Sequence, residues 1–305
     1  MSRGTHHAPI ILFVYNRPDC TKKTLEALAR NYGADEADLV IFSDGPRSEE
    51  DKSKITAVRA IAAAAAGFRS VRLVEAAENR GLARSIIAGV TDVVEERGRA
   101  IVMEDDIITS PYFLRFMNDA LELYADEPKV AAISGYTHPL GKQMPETFFL
   151  RDSSCWGWAT WARAWSKFNP DGAALLSQIE ARGAVRAFNH DGSFDFTLML
   201  RDQIAGKNNS WAIRWRASLF LEGLLSLYPG QSLTCNIGND GRGTHTGAAE
   251  TFWGDRVADR PVAVSPIPLI VDAEIDAAIS AFYRKNIATG LRSRIKHKIK
   301  RMLRP

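Results

Sequence analysis

Short continuous apolar runs alternate with stretches of helical spacing along the first part of this chain, and the alternation predicts its elements. Residues 9 to 16, Pro-Ile-Ile-Leu-Phe-Val-Tyr-Asn, are closed by Asn16-Arg17-Pro18 and read as a strand buried on both faces. From Thr21 to Arg30, Leu25 and Leu28 recur at helical spacing ahead of Gly33, so a helix follows. Leu39 to Phe42 is a second short strand, ended by the turn signature Ser43-Asp44-Gly45-Pro46. A helix from about Glu49 to Ala66, a strand at Val71 to Val74 and a helix opened by Asn79-Arg80-Gly81-Leu82 and running to Arg97 come next. Residues 101 to 103 form the fourth strand, which runs straight into Glu104, Asp105 and Asp106.

Strand and helix in alternation imply right-handed crossovers and a mostly parallel sheet flanked by helices, an α/β fold. Ligands of such sheets lie beyond the carboxyl ends of the strands. The residues there are Asn16-Arg17, Ser43-Asp44, Glu75 to Arg80, and Glu104-Asp105-Asp106. Any one polar tip is ordinary, but together they predict a shared crevice. Three adjacent carboxylates repel one another in a low dielectric, so the last tip calls for a cation or for shifted pKa values. A divalent ion at the strand end is the economical reading.

Further on, Tyr112 to Ala125 reads as a helix and Val130 to Gly135 as a buried strand. Trp156, Trp158, Trp161 and Trp165 follow, the last three at the i, i+3, i+7 spacing of one helix face. Trp156 precedes Gly157, where backbone can approach a ligand and a ring can stack on a sugar or base. Helices are expected over Asp195 to Gln203 and Trp211 to Leu221, with a strand at Leu224 to Pro229. Gln231 to Gly247 is Gly-rich and polar, with the composition of a ligand-covering loop, and carries His245 between two threonines.

Composition narrows the class. With 305 residues, 46% hydrophobic and 25% charged, the chain has material for a large core. No apolar run is long enough to span a membrane and no signal-peptide pattern opens the chain, so a cytoplasmic location is expected. Cys20, Cys155 and Cys235 are too few and too scattered for a disulfide framework or a zinc site. The net charge of +3 is too small to suggest nucleic acid, yet nine lysines and arginines and no acid fall between Arg284 and Pro305. That tail is either a solvated charge run or an amphipathic helix lying on an anionic membrane surface, with Ile295, Ile299, Met302 and Leu303 on its apolar side.

Mg²⁺ or Mn²⁺ takes hard oxygen ligands, commonly one or two carboxylates together with substrate phosphates. An acid triplet, a lone Asp44 and nearby arginines therefore suit a nucleotide diphosphate, with the metal on its phosphates and arginines on the remaining charge.

The ordered series Phe-Val-Tyr-Asn-Arg-Pro, Phe-Ser-Asp-Gly, Glu-Asn-Arg-Gly-Leu and Val-Met-Glu-Asp-Asp-Ile resembles the nucleotide-sugar-binding half of the GT-A-fold glycosyltransferases. The Glu-Asp-Asp form of their Asp-X-Asp motif is closest to the N-acetylglucosaminyltransferase I-like branch. The likeness continues through Ala132-Ile133-Ser134-Gly135 and Trp156-Gly157-Trp158, over roughly residues 9 to 247. It implies a GT-A domain over 9–283, divided into a nucleotide-sugar-binding half at 9–135 and an acceptor-binding half at 136–283. A flexible lead at 1–8 and the basic tail at 284–305 flank it.

The resemblance also implies roles. Asp106 would be the direct ligand of Mn²⁺ or Mg²⁺, with His245 a second metal or diphosphate contact. Glu104 and Asp105 would hold sugar, ribose or metal-bound water. Asp44 would read the nucleobase, and Asn16, Arg17, Asn79, Arg80 and Trp156 would complete the donor site. The partners implied are a nucleotide-sugar donor, UDP-linked, and a glycan or lipid-linked acceptor, with membrane-surface contact through 284–305. A general base near Asn208-Asn209-Ser210-Trp211 is expected from the branch, and no carboxylate stands there. The nearby acids rank Asp195, Glu222, Asp202, with Asp195 first because Phe194 and Phe196 would partly desolvate it. Two other readings compete: a catalytically inactive nucleotide-sugar or glycan-binding assembly partner, and a sugar nucleotidyltransferase.

Overall fold

The computed structural model describes residues 7–238 and 256–286. Four buried or half-buried strands form first: β1 (Ile10–Val14), β2 (Asp38–Ser43), β3 (Ser70–Glu75) and β4 (Arg99–Glu104). They alternate with α1 (Pro18–Ala29), α2 (Glu49–Ala63) and α3 (Leu82–Arg97). Every residue of β1 is buried, the condition under which a continuous apolar run is a central strand. Pro18 opens α1, where its missing N–H costs nothing. Gly98, at φ +79°, ends α3 in the left-handed conformation and turns the chain directly into β4.

One sheet then takes strands from both halves of the chain. After β5 (Ile107–Thr109) and α4 (Phe113–Leu123) come β6 (Val130–Ser134), β7 (Thr147–Leu150) and β8 (Trp158–Trp161). Next are α5 (Ala162–Trp165), α6 (Gly172–Ala181), α7 (Val185–Phe188), α8 (Phe196–Ile204), α9 (Trp211–Leu221), β9 (Leu225–Pro229) and β10 (Thr234–Asn236). The order across the large sheet is β3-β2-β1-β4-β8-β6-β9-β7. Strands β1 to β4, β6 and β9 run one way; β8 and β7 run against them. The mostly parallel α/β sheet flanked by helices matches the pattern of the sequence.

Two expectations fail. Trp158 and Trp161 are not on a helix: Trp158–Trp161 is the strand β8, wedged between β4 and β6, and only Ala162–Trp165 is helical. Backbone ladders on both edges override a three-residue aromatic spacing. Because strand side chains alternate, the two rings leave opposite faces of the sheet. Trp158 packs on Trp211 and Trp215 of α9, at 5.3 and 6.1 Å between ring centroids, while the Trp161 indole N–H donates to Leu121 O of α4 at 3.2 Å. Nor is the whole Gly-rich stretch a loop, since its start holds β10, which pairs antiparallel with β5.

The second half carries a buried charged network. Arg216 of α9 pairs with Asp152, and its guanidinium lies 3.7 Å over the Phe196 ring. Asp152 also meets His190 Nε2 at 3.1 Å, and His190 Nδ1 faces Asp276 at 3.2 Å. Asp276 belongs to a helix at 273–286, where Tyr283 Oη lies 3.1 Å from His138 Nε2. Burial, with the positive charges of His190 and Arg216, pushes His138 down to about 3, so its imidazole is neutral. Among the described residues no helix is long and apolar enough to cross a membrane.

Trp158 is 1% exposed and is the ring on which α5 and α9 meet the sheet. Trp158→Ala is expected to destabilise the fold by about 3–5 kcal/mol, through lost burial and the cavity left behind. Urea unfolding followed by tryptophan fluorescence measures it.

Candidate active site

Residues 15 to 17 join β1 to α1 and Asp105-Asp106 turn out of β4 toward β5. The parallel pairing of β1 with β4 sets Phe13 against Glu104, which brings the two tips side by side. Arg17, at the N-cap position of α1, makes no capping bond with its side chain. Its guanidinium instead reaches across, Nη1 donating to Asp106 Oδ2 at 2.9 Å. The Tyr15 backbone N–H donates to Asp105 Oδ2 at 3.3 Å, and the Thr24 hydroxyl holds the Asp105 carbonyl at 3.0 Å. From the other side the Ile237 N–H bonds the Asp106 carbonyl at 2.8 Å.

The electrostatics follow from that crowding. Burial first, then the charges of Asp106 and Asp105, raise Glu104 well above the ordinary carboxylate range, against a bond from the Trp211 side chain. Burial and Asp106 push Asp105 up to about 7. Burial also raises Asp106, opposed by the charge and hydrogen bond of Arg17. The Cys155 thiol is raised by burial and then by the charges of Glu104 and Asp106.

Asp106 Oδ1 is buried and makes no hydrogen bond among the described residues. An orphaned carboxylate oxygen within a repelling acid cluster is the setting a hard divalent cation fits. No three His, Cys, Asp or Glu side chains gather round a common point among the described residues. An ion here would take one or two protein oxygens and complete its shell from phosphate and water, as Mg²⁺ commonly does. Gly238 packs on the pair: a Cβ there would lie 2.1 Å from Asp106 Oδ2 and 2.8 Å from Arg17 Nη1.

At the β2 tip, buried Asp44 is held on all sides. Its Oδ1 accepts from the N–H groups of Arg80 at 2.8 Å and Gly45 at 2.9 Å, and its Oδ2 from the Gly81 N–H at 2.9 Å and Asn79 Nδ2 at 3.1 Å. Four donors fill a carboxylate's capacity. Asp44 thus fastens the loop that opens α3, placing its charge at that helix's positive end. Asn79 is likewise committed, to Asp44 and the Gly45 carbonyl. Asn16 Nδ2 donates 2.8 Å to Asp51 Oδ1 on the first turn of α2.

Opposite this half, Trp156 stands edge-on to Tyr136 at 4.6 Å and its carbonyl accepts from the Thr234 hydroxyl at 2.6 Å. Gly157, at φ +75°, lets the Trp156 segment turn into β8 against Thr234. Trp211, whose side chain neighbours Glu104, is the first residue of α9, and Ser210 caps that helix by accepting from the Ile213 N–H. Asn209, where the branch leads one to expect a base, gives its side-chain oxygen to Arg214 at 3.2 Å.

None of the three acids weighed as the base bonds to the triplet. Asp195 is exposed and caps α8, accepting from the Leu198 N–H at 2.8 Å. Phe194 and Phe196 stack on each other at 4.4 Å and on Tyr283, rather than covering Asp195 as expected. Asp202 is paired with Lys207 at 2.9 Å. Glu222 follows the last residue of α9, about 16 Å along the helix from Trp211. His245 lies outside the described residues, as does the basic tail beyond Asn286.

Asp51, Trp211 and Thr234 escaped the sequence reading. Asp51 sits in an acidic first turn, Glu49-Glu50-Asp51, that any helix favours.

No protein-family model matches the chain, and no curated protein matches it. Several solved structures are similar at a low level. The mannosyltransferase PcManGT from Pyrobaculum calidifontis, in complex with GDP-Man and Mn²⁺, is 15% identical with a TM-score of 0.40, over 72% of this chain and 70% of that one. The galactosyltransferase LgtC, in complex with donor and acceptor sugar analogues, is 8% identical with a TM-score of 0.36, over 71% and 72%. TarS of S. aureus is 15% identical with a TM-score of 0.30, over 45% of this chain and 23% of that one. Likeness at this level carries no argument about chemistry.

The raised pKa of Asp105 makes stability depend on pH. Between the ordinary aspartate value and about 7 the folded state holds a proton that the unfolded state has lost, so stability falls as pH rises through that window. Asp105→Asn is expected to flatten this component of the melting temperature between pH 4.5 and 7.5. Thermal melts in EDTA measure it, and Mn²⁺ is expected to restore the wild-type midpoint at pH 7.5.

Proposed function

We propose that this chain is a metal-dependent glycosyltransferase of the GT-A type. On this reading it moves a hexosyl or N-acetylhexosaminyl unit from a nucleotide diphosphate sugar, UDP-linked, to a glycan or lipid-linked acceptor in bacterial-type surface polysaccharide synthesis. The observation that supports it is Asp106: one oxygen bonded to Arg17 and the other buried and open, at the carboxyl end of a central parallel strand. Glycans and diphosphates suit such a crevice because it pairs carboxylates with arginine and with a helix N-terminus.

In this proposal Asp106 would hold Mn²⁺ or Mg²⁺, with His245 as a further contact. When bound, the ion supplies positive charge against the departing diphosphate. Arg17 turns from Asp106 to the diphosphate, while Glu104 and Asp105 face sugar and ribose. Asp44 acts by fixing Asn79, Arg80 and Gly81 as the wall of the nucleoside pocket, its own oxygens being filled. Trp156 offers an edge of aromatic surface on the acceptor side, and the Trp211 side chain lies beside Glu104 from α9. The tail at 284–305 lies on an anionic membrane surface in this reading, near a lipid-linked acceptor.

A nucleotide-sugar binder without transfer is the second reading. It is favoured by the start of α9, where Asn209 is tied to Arg214 and no carboxylate among residues 208–211 is available to take an acceptor proton.

Asp106→Ala is expected to cut Mn²⁺-dependent release of UDP from a UDP-sugar by at least about a hundredfold. EDTA is expected to do the same to the wild type. Full turnover under either condition refutes the transferase role of Asp106, whereas tight UDP-sugar binding with no release in the wild type selects the second reading.

A further inference from the structure

The Tyr15-Asn16-Arg17 turn is anchored at both of its ends. Toward β4, the Tyr15 N–H meets Asp105 at 3.3 Å and Arg17 meets Asp106 at 2.9 Å. Toward α2, both oxygens of Asp51 are given to the same turn: Oδ2 accepts from the Tyr15 hydroxyl at 2.7 Å and Oδ1 from Asn16 Nδ2 at 2.8 Å. The Tyr15 hydroxyl accepts in turn from the Arg47 N–H at 3.2 Å, which ties in the segment between β2 and α2. These bonds hold Asp51 below the usual carboxylate range, the Tyr15 hydroxyl first and the Asn16 amide second.

Asp51 therefore sits 35 and 36 residues away in sequence from the two side chains it holds, on the opposite flank of the turn from the acid triplet. Three consecutive residues link the two carboxylate groups, with Arg17 meeting Asp106 at one end of the turn and Tyr15 and Asn16 meeting Asp51 at the other. Asp51 is half-buried in the first turn of α2, and hydrogen bonds of this kind each add only modestly to global stability. A donor spanning the crevice from the α2 flank to the triplet would lie along this turn.

We propose that Asp51 is a positioning residue for donor binding, holding Tyr15-Asn16-Arg17 so that occupation of the α2 flank and of the Asp106 end of the crevice are coupled. The inference rests on the glycosyltransferase reading for the identity of the ligand. Its geometric half, that Asp51 sets the turn, stands without it.

Two measurements on the full chain test the proposal, with UDP and Mn²⁺ as the probe. Hydrogen exchange reads the turn without any ligand, and calorimetry reads UDP affinity. Asp51→Ala is expected to speed exchange at residues 15–17 and to weaken UDP binding in Mn²⁺ by roughly tenfold, with the unfolding midpoint moved by less than about 2 °C. Asp51→Asn, which keeps one acceptor oxygen, is expected to fall between Asp51→Ala and the wild type. In an Asp106→Ala background the effect of Asp51→Ala is expected to shrink, because the far end of the bridge is already gone.

Unchanged exchange in Asp51→Ala overturns the inference, as does unchanged UDP affinity. So does an affinity loss that merely tracks a large fall in the unfolding midpoint. If the wild type binds UDP and Asp51→Ala binds it equally well, only the role of Asp51 is lost. If the wild type binds no UDP with Mn²⁺, the glycosyltransferase reading falls and the donor-positioning role falls with it.

Discussion

Like charge held at the end of a buried strand is the constraint around which this molecule is arranged. Glu104, Asp105 and Asp106 follow directly on the fully buried Ile101, Val102 and Met103, so the chain cannot carry them out into water without giving up the center of its sheet. Their repulsion is relieved in three ways: one guanidinium from the β1 tip, proton uptake by Asp105 near neutral pH, and the Tyr15 backbone N–H. None neutralises the cluster. Asp106 Oδ1 is left over, and a buried anionic oxygen without a partner is a demand for a cation rather than a source of stability.

The parallel sheet gives this demand its surroundings. Strands β1, β2 and β4 end on one edge, so the tips that carry Arg17, Asp44 and the triplet arrive together without any long-range search. Asp44 shows how such an edge is stiffened. By accepting four hydrogen bonds it fixes the start of α3 in place. Asp51 does the corresponding work on the other side of β1. Among the described residues of these three tips, the triplet keeps a carboxylate oxygen without a partner.

The sequence made the first four strands, their helices and the polar tips legible because each is a local signal: a continuous apolar run, a helical spacing, a turn residue. Arg17 and Asp106 were legible as strand-end residues of one crevice, whereas their pairing was not, because β4 lies beside β1 through a crossover rather than beside β3. The second half was harder. Trp158 and Trp161 carry a helical spacing and form a strand, because β4 and β6 offer unpaired backbone on both sides of it. Asp195 looked desolvated by its flanking rings, yet those rings turn toward Tyr283 and leave the carboxylate to cap α8.

By itself, then, the sequence determined the class of fold, the run of strand ends, and the place where negative charge accumulates. Those follow from periodicity and composition, which act over a few residues. Tertiary structure alone decided which polar atoms are spent and which remain. Whether a carboxylate is a ligand-in-waiting or an internal strut depends on donors brought from distant positions, as Asn79, Arg80 and Gly81 are to Asp44 and as Tyr15 and Asn16 are to Asp51. Hydrogen bonds are directional and short-ranged, so their satisfaction is a property of the folded arrangement and leaves no periodic trace along the chain.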